Sequence, residues 1–534
     1  MKKILYVAGE ALPFASSGGL GDVIGSLPEA LKKGCDCDVR VVMPLYASIP
    51  EKFRSKFKYL GNKYIKLSWR SQYCGLFSYV HKGVTFYFLD NEYYFKRHML
   101  YGEYDDAERF AFFCRAALEM LPDIDFFPDI LHAHDWHAAL SVIYLKQCYK
   151  NDERYKNIKA VFTIHNIQYQ GRYGFELLGD VFGLMPSDTE IVEYDKDITL
   201  LKGAIVCADA VTTVSPTYAK EILSPRFSQG LDNVLNRFSF KLSGILNGID
   251  KTYYDPAKDK EIAANFKPSD LAGKKECKAA LQKELGLPVR DVPMVTMVTR
   301  LVGHKGVDLV MFAGDDMLER DIQLVVLGTG EYTFEDYFRS LEARHKDKCR
   351  ALIKYDRDLS KRIYAAGDIF LMPSRSEPCG LAQMISSRYG NVPIVHETGG
   401  LYDSIKDIGN LGGGNGFTFA AYSAYEMLGS VNRAANMYEN DRESYEKLRE
   451  KVMKVDFSWK KSASSYNDLY EKLMKYKSFC GAFFKKRGFS LPFLEKEGLF
   501  CLLFSRINAG TINQQSIYQK DINYGSKQQN LRHP

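Results

Sequence analysis

Pro373-Ser374-Arg375-Ser376-Glu377-Pro378-Cys379-Gly380-Leu381, continued by Pro393-Ile394-Val395-His396-Glu397-Thr398-Gly399-Gly400-Leu401, decides how the chain folds. The apolar run Ile369 to Met372 ahead of it reads as a buried parallel strand that Pro373 ends. Strand ends in an open α/β sheet face a crevice, which places Glu377 at a ligand-facing edge. Pro378 starts a helix well, and a helix over Gly380 to Arg388 would aim free N–H groups and a positive dipole end at that crevice. The next strand, Ile394-Val395, ends in Thr398-Gly399-Gly400, where glycines let backbone approach a ligand closely. Two strand ends therefore converge on one polar, anionic ligand. Glu377 is the sole carboxylate between Pro373 and His396, so this stretch lacks the carboxylate pair of glycoside hydrolysis.

Outward from this stretch the pattern repeats. Ile4 to Ala8, Val39 to Met43, Ile130 to His132, Val161 to Ile164 and Ala210 to Val214 alternate with helical segments across residues 1 to about 245. Val295 to Val298, Leu324 to Leu327, Ile369 to Met372 and Ile394-Val395 form a second such series beginning near Ile245. The expectation is α/β: two doubly wound domains, 1–245 and 246–456, with ligand bound between facing crevices. A chain of 534 residues is too long for one ordinary core, which agrees.

Composition narrows the function classes. Apolar content of 46% and charged content of 26% are globular values, and no apolar run approaches a membrane span. Ile4 to Ala8 is too short for a signal-peptide core, and eleven scattered cysteines suggest reduced thiols, so a cytoplasmic setting is expected. Residues 479–534 hold eight Lys or Arg against three Asp or Glu, and so carry five of the six net positive charges. That charge belongs to a solvated tail without a sustained period, not to a nucleic-acid surface.

Other strand ends carry candidate chemistry. Ser16-Ser17-Gly18-Gly19-Leu20-Gly21-Asp22-Val23 joins the first strand to a helix and could cradle phosphate, although its glycines miss the dinucleotide spacing. Leu131-His132-Ala133-His134-Asp135-Trp136-His137 invites a metal reading, but Trp136 stands where a hydrolytic site wants its aspartate, so the neutral reading is preferred. His165 in Phe162-Thr163-Ile164-His165-Asn166 follows a strand and points to the crevice. Arg300 and Lys305, in Thr299-Arg300-Leu301-Val302-Gly303-His304-Lys305-Gly306, supply a guanidinium fork and a point charge suited to a diphosphate. Tyr355 could stack on a nucleobase.

In this order, Gly18-Gly19-Leu20-Gly21-Asp22-Val23, His132-Ala133-His134-Asp135-Trp136-His137, Leu246-Asn247-Gly248-Ile249-Asp250, Arg300 with Lys305, Ser374 to Leu381 and Thr398 to Leu401 closely resemble bacterial glycogen synthases and plant starch synthases. The resemblance runs from Met1 to about Tyr476. It implies two Rossmann-like domains facing across a cleft, the GT-B fold, with a terminal helix at 457–476 crossing back to the first domain. It implies retaining transfer of glucose from ADP-glucose to the 4-hydroxyl of a glycogen or α-1,4-glucan end, with no cofactor, metal, nucleic acid or membrane. By the same resemblance Arg300 and Lys305 take the diphosphate and Tyr355 the base. Cys379, Gly380, Leu381, Thr398, Gly399 and Gly400 give backbone contacts to phosphate and sugar. Glu377, His165, Asn247 and Asp135 hold the glucose, and Ser16, Gly18 and Gly19 lie at the donor. The family pattern K-x-G-G-L has Ser16 here in place of lysine, which implies weaker donor binding or altered rate. A UDP-sugar transferase, a glucan-binding protein with impaired turnover and a zinc hydrolase on His132, His134 and His137 are the competing expectations.

Overall fold

The computed structural model describes residues 1–410 and 413–485. Two sheets organise it. The first has nine strands in the order Leu242–Gly244, Ala210–Thr213, Lys159–Ile164, Ile130–His134, Lys2–Ala8, Cys37–Pro44, Val84–Asp90, Arg70–His81 and Lys58–Leu67. The first seven run parallel, and the last two form an antiparallel hairpin at one edge. The second sheet is wholly parallel, ordered Cys349–Leu352, Gln323–Leu327, Met294–Val298, Ile369–Met372, Val392–His396 and Phe417–Phe419. Strands such as Ile369–Met372 are buried on both faces, which is why they read as unbroken apolar runs. Both sheets are doubly wound, as the apolar runs imply.

In each sheet the chain starts in the middle and reverses direction. The reversal in the first lies between Lys2–Ala8 and Ile130–His134, and in the second between Met294–Val298 and Ile369–Met372. At such a point neighbouring strands send their following loops to opposite sides and open a crevice. The segments carrying Ser16 to Gly21 and Asp135 leave one reversal point, and those carrying Arg300, Lys305 and Glu377 leave the other.

The expected helix over Gly380 to Arg388 begins later, at Ala382. Gly380 has φ 72°, a left-handed turn incompatible with helix, so residues 378–381 form a loop under the helix rather than its first turn. The terminal helix is longer than 457–476 and spans Trp459–Lys485. It lies on the first sheet, where the Tyr470 hydroxyl meets those of Tyr6 at 2.8 Å and His132 Nδ1 at 2.7 Å. Of the tail 479–534, residues 486–534 lie outside the described residues. No helix among the described residues is long and apolar enough to cross a membrane. The hairpin Lys58–Leu67/Arg70–His81 and a small sheet of Arg172–Tyr173, Asp197–Thr199 and Glu193–Tyr194 were not among the strands read from sequence.

Candidate active site

A cleft of about 980 Å³ lies between the two reversal points. Its wall includes Ser16, Gly18, Gly19, Asp135, His165, Asn247, Arg300, Lys305, Tyr355, Glu377, Cys379, Gly380 and Leu381. Residues as far apart in sequence as Ser16 and Leu381 thus share one cavity because parallel strands deliver their loops to the same end of each sheet.

Glu377 is 5% exposed and Lys305 Nζ donates to its Oε2 at 2.6 Å, with Ser374 Oγ donating at 3.1 Å. A buried carboxylate is tolerable only when so matched. Lys305 is therefore shared between the acid and any anion that enters. Arg300 is exposed on the wall and has no ion-pair partner among the described residues. His304 also faces the cleft; burial, with Lys305 and Arg300 nearby, lowers it to about 4, so it adds no charge at neutral pH. Tyr355 is 86% exposed, its ring open to stacking. Burial pushes the Cys379 thiol up to about 12 against hydrogen bonds from Asn247, which leaves it protonated at neutral pH.

Asp135 stands at the N-cap position of the helix Trp136–Gln147 without a side-chain bond to it, at φ 57°, a left-handed conformation costly for a non-glycine residue. The strain turns its carboxylate back, where Oδ1 accepts from the His165 backbone N at 2.7 Å. Burial outweighs that bond and one from the Asn166 backbone, raising Asp135 to about 7. The sign is plain. From the ordinary 3.8 up to about 7 the folded protein keeps a proton that the unfolded chain releases, so Asp135 lowers stability as pH rises through that window. Asp135→Asn should therefore gain on the parent by a few kcal/mol between those limits in chemical denaturation, at about 1.4 kcal/mol per pH unit. Parallel pH profiles for the two proteins would contradict this.

Three expected site residues lie elsewhere. Thr398, Gly399 and Gly400 do not line the cleft. Glu221 Oε1 accepts from Thr398 Oγ1 at 3.0 Å and Gly399 N at 2.9 Å, and Glu377 O accepts from Gly400 N at 3.0 Å. A Cβ on Gly399 would sit 2.0 Å from Glu377 O, and one on Gly400 2.2 Å from Cys379 O. These glycines are needed for close approach, but the backbone they approach is the Glu377 loop. Their donors are already engaged, so they buttress that loop instead of offering N–H groups to phosphate.

The zinc reading also meets an obstacle. His132 uses both ring nitrogens, with Tyr470 at 2.7 Å and Thr163 Oγ1 at 2.6 Å. His134 Nδ1 lies 3.0 Å from His165 Nε2, and His137 stacks between Tyr101 and Trp136. Among the described residues no group of three or more His, Cys, Asp and Glu is arranged to hold a metal.

Sequence reasoning passed over Glu10, which is 1% exposed and accepts from Ser17 N at 2.6 Å, Ser17 Oγ at 2.9 Å, Gly21 N at 2.9 Å and Tyr101 OH at 3.0 Å. It shapes the glycine loop from inside. Its signal was a carboxylate at the carboxyl end of the first strand, directly before that loop. Tyr101, Trp136 and His137, also on the cleft wall, add an aromatic surface suited to sugar rings.

Comparison with known proteins points to the same fold. The sequence profile of the starch synthase catalytic domain matches residues 3–237, and that of glycosyl transferases group 1 matches residues 281–455. A glycogen synthase of Anoxybacillus flavithermus is 45% identical over 476 residues, covering 88% of this chain and 98% of its own. One from Desulforamulus reducens is 47% identical, with 88% and 99% covered. The catalytic domain of starch synthase IV from Arabidopsis thaliana, solved with ADP and acarbose, superposes with a TM-score of 0.82 at 37% identity, covering 88% of this chain and 99% of that one. Sucrose-phosphate synthase from Thermosynechococcus elongatus, at 16% identity and a TM-score of 0.56, shares the fold. The chain belongs to the glycogen and starch synthase family of GT-B glycosyltransferases.

Proposed function

We propose that the protein is a glycogen synthase, moving glucose from ADP-glucose to the non-reducing 4-hydroxyl end of an α-1,4-glucan with retention of configuration. The observation that carries the reading is the convergence of Arg300, Lys305 and Glu377 at adjacent strand ends, facing Asp135, His165 and Asn247 across one cleft. Relatives named glycogen synthase and the ADP-bound starch synthase support the donor and acceptor classes.

The chemistry follows from charge. The bond from C1 of glucose to the diphosphate oxygen breaks, its electron pair leaving with ADP and its carbon becoming oxocarbenium-like. In this reading Arg300 and Lys305 receive the growing phosphate charge, which is the part a divalent ion plays elsewhere, so it needs no metal. The acceptor hydroxyl adds to C1 from the side the diphosphate leaves, and its proton passes to the departing phosphate. Glu377, Asp135, His165 and Asn247 hold the glucose. Asn247 is suited to this because its Oδ1 is buried without a partner among the described residues. Tyr355 offers a stacking face to the base, in a cytoplasmic setting without nucleic-acid or membrane partners.

Radiolabelled transfer to glycogen from a panel of nucleotide sugars tests the reading. Incorporation from ADP-glucose is expected, and incorporation from UDP-sugars alone would overturn it. Impaired turnover with retained glucan binding is the second reading, favoured by Ser16, whose hydroxyl turns to Gly18 O at 3.1 Å and leaves that corner without the family cation. Ser16→Lys is expected to lower the donor KM or raise kcat several-fold, about 1 kcal/mol for an added partly exposed charge pair. No change in either would show that the remaining cations suffice.

A further inference from the structure

His165 faces the cleft with one ring nitrogen already spoken for: its Nε2 lies 3.0 Å from His134 Nδ1. His134 is 0% exposed, stacked on His132 at 4.2 Å, and its own Nε2 is buried without a partner among the described residues. The shared hydrogen bond needs one proton, and either ring can supply it. If His165 supplies it, His134 must accept at Nδ1 and carry its proton on Nε2, leaving a buried N–H with nothing to bond. If His134 supplies it, the orphan is only a lone pair. Orphaned buried N–H groups are the rarer and costlier of the two. Both rings are kept neutral by burial, so a doubly protonated ring does not rescue the first arrangement.

We propose that His134 is a positioning residue that donates from Nδ1 to His165 Nε2 and thereby locks His165 in the Nδ1–H tautomer, so that it meets the substrate as a hydrogen-bond donor. The tautomer of one imidazole nitrogen is set by the bond its other nitrogen makes. A free neutral imidazole side chain prefers its proton on Nε2, so without His134 the cleft-facing nitrogen of His165 would be an acceptor. A hydroxyl can serve either kind of partner, but a second lone pair facing the sugar would force its hydroxyl to turn. His132 holds the other side of the stack, fixed by Tyr470 and Thr163. The inference rests on the proposed role of the cleft in binding a sugar donor.

The test uses the full chain with its ten histidines labelled with ¹⁵N in the ring, and two-bond ¹H–¹⁵N correlation to read each tautomer, His165 being assigned from its loss in His165→Gln. Wild type is expected to show His165 protonated on Nδ1. In His134→Phe it should switch to Nε2–H, with kcat reduced on the order of 10- to 100-fold and donor KM changed less, below the 10²–10³ of a deleted oxyanion donor. His134→Asn, whose amide N–H can stand where Nδ1 stood, should keep the tautomer and most of the rate. A wild-type His165 protonated on Nε2, or a tautomer unchanged in His134→Phe, would overturn the proposal. Should His134→Phe fail to fold, the wild-type and His134→Asn spectra still decide it. The expected tautomer together with no transfer from any nucleotide sugar would refute the functional reading and leave the tautomer assignment intact.

Discussion

Arg300→Ala is expected to cut transfer from ADP-glucose by roughly 10²–10³-fold, the scale of deleting a donor aimed at charge that develops in the transition state. Arg300 earns this rank over Lys305 because it enters the reaction unencumbered: it is exposed on the cleft wall and has no ion-pair partner among the described residues. Lys305 must divide its charge with Glu377 at 2.6 Å. ADP should also inhibit the variant less, since the ground-state diphosphate loses the same partner. Arg300→Lys should recover only part of the rate, because an ammonium cannot grip two phosphate oxygens as a guanidinium fork does. Steady-state kinetics with ADP as product inhibitor reads all three. Full activity in Arg300→Ala would remove the guanidinium from the mechanism.

Glu377→Ala is expected to move two measurements in opposite directions. Transfer should fall by roughly 10³-fold, as the sugar loses its buried carboxylate, while ADP should bind more tightly because Lys305 is released from its pair. The loop itself should persist. Its backbone is tied by Gly400 N to Glu377 O at 3.0 Å, a bond that does not involve the side chain. Isothermal titration with ADP separates the outcomes: weaker ADP binding alongside lost turnover would mean that the side chain supports the loop and does not compete for Lys305.

Much of this arrangement was written in the sequence. Parallel strands buried on both faces leave continuous apolar runs, so Ile369 to Met372 and Val295 to Val298 announced themselves, and with them the strand ends where Arg300, Lys305 and Glu377 stand. The hairpin Lys58–Leu67/Arg70–His81 gave no such signal, because at an edge its residues alternate exposed tyrosines and lysines with sparse apolar ones. Thr398 to Gly400 were misplaced for a different reason. Sequence shows that glycines allow close approach but not what approaches, and their partner Glu221 lies 178 residues from Gly399. Gly380 hid the helix start in the same way, since a glycine after Pro378 fits either a first turn or a left-handed bend. Glu10 escaped because its worth comes from four donors converging on it, three of them from the loop it precedes.

The helix Trp459–Lys485 seals the sheet that begins at Lys2, through Tyr6, His132 and Lys2 itself, which reaches Glu471 at 3.2 Å. A ribosome delivers Lys2 and Tyr6 more than 460 residues before their partners on this helix. The strands from Met294 to Phe419 lie together in the chain and can consolidate as they emerge, whereas the earlier-made half waits with its central tyrosine uncovered until the helix Trp459–Lys485 has been made. The half translated first is thus the half that matures last, and a chain stalled before residue 459 would leave the exit tunnel with that surface open to chaperones and to other unfinished copies.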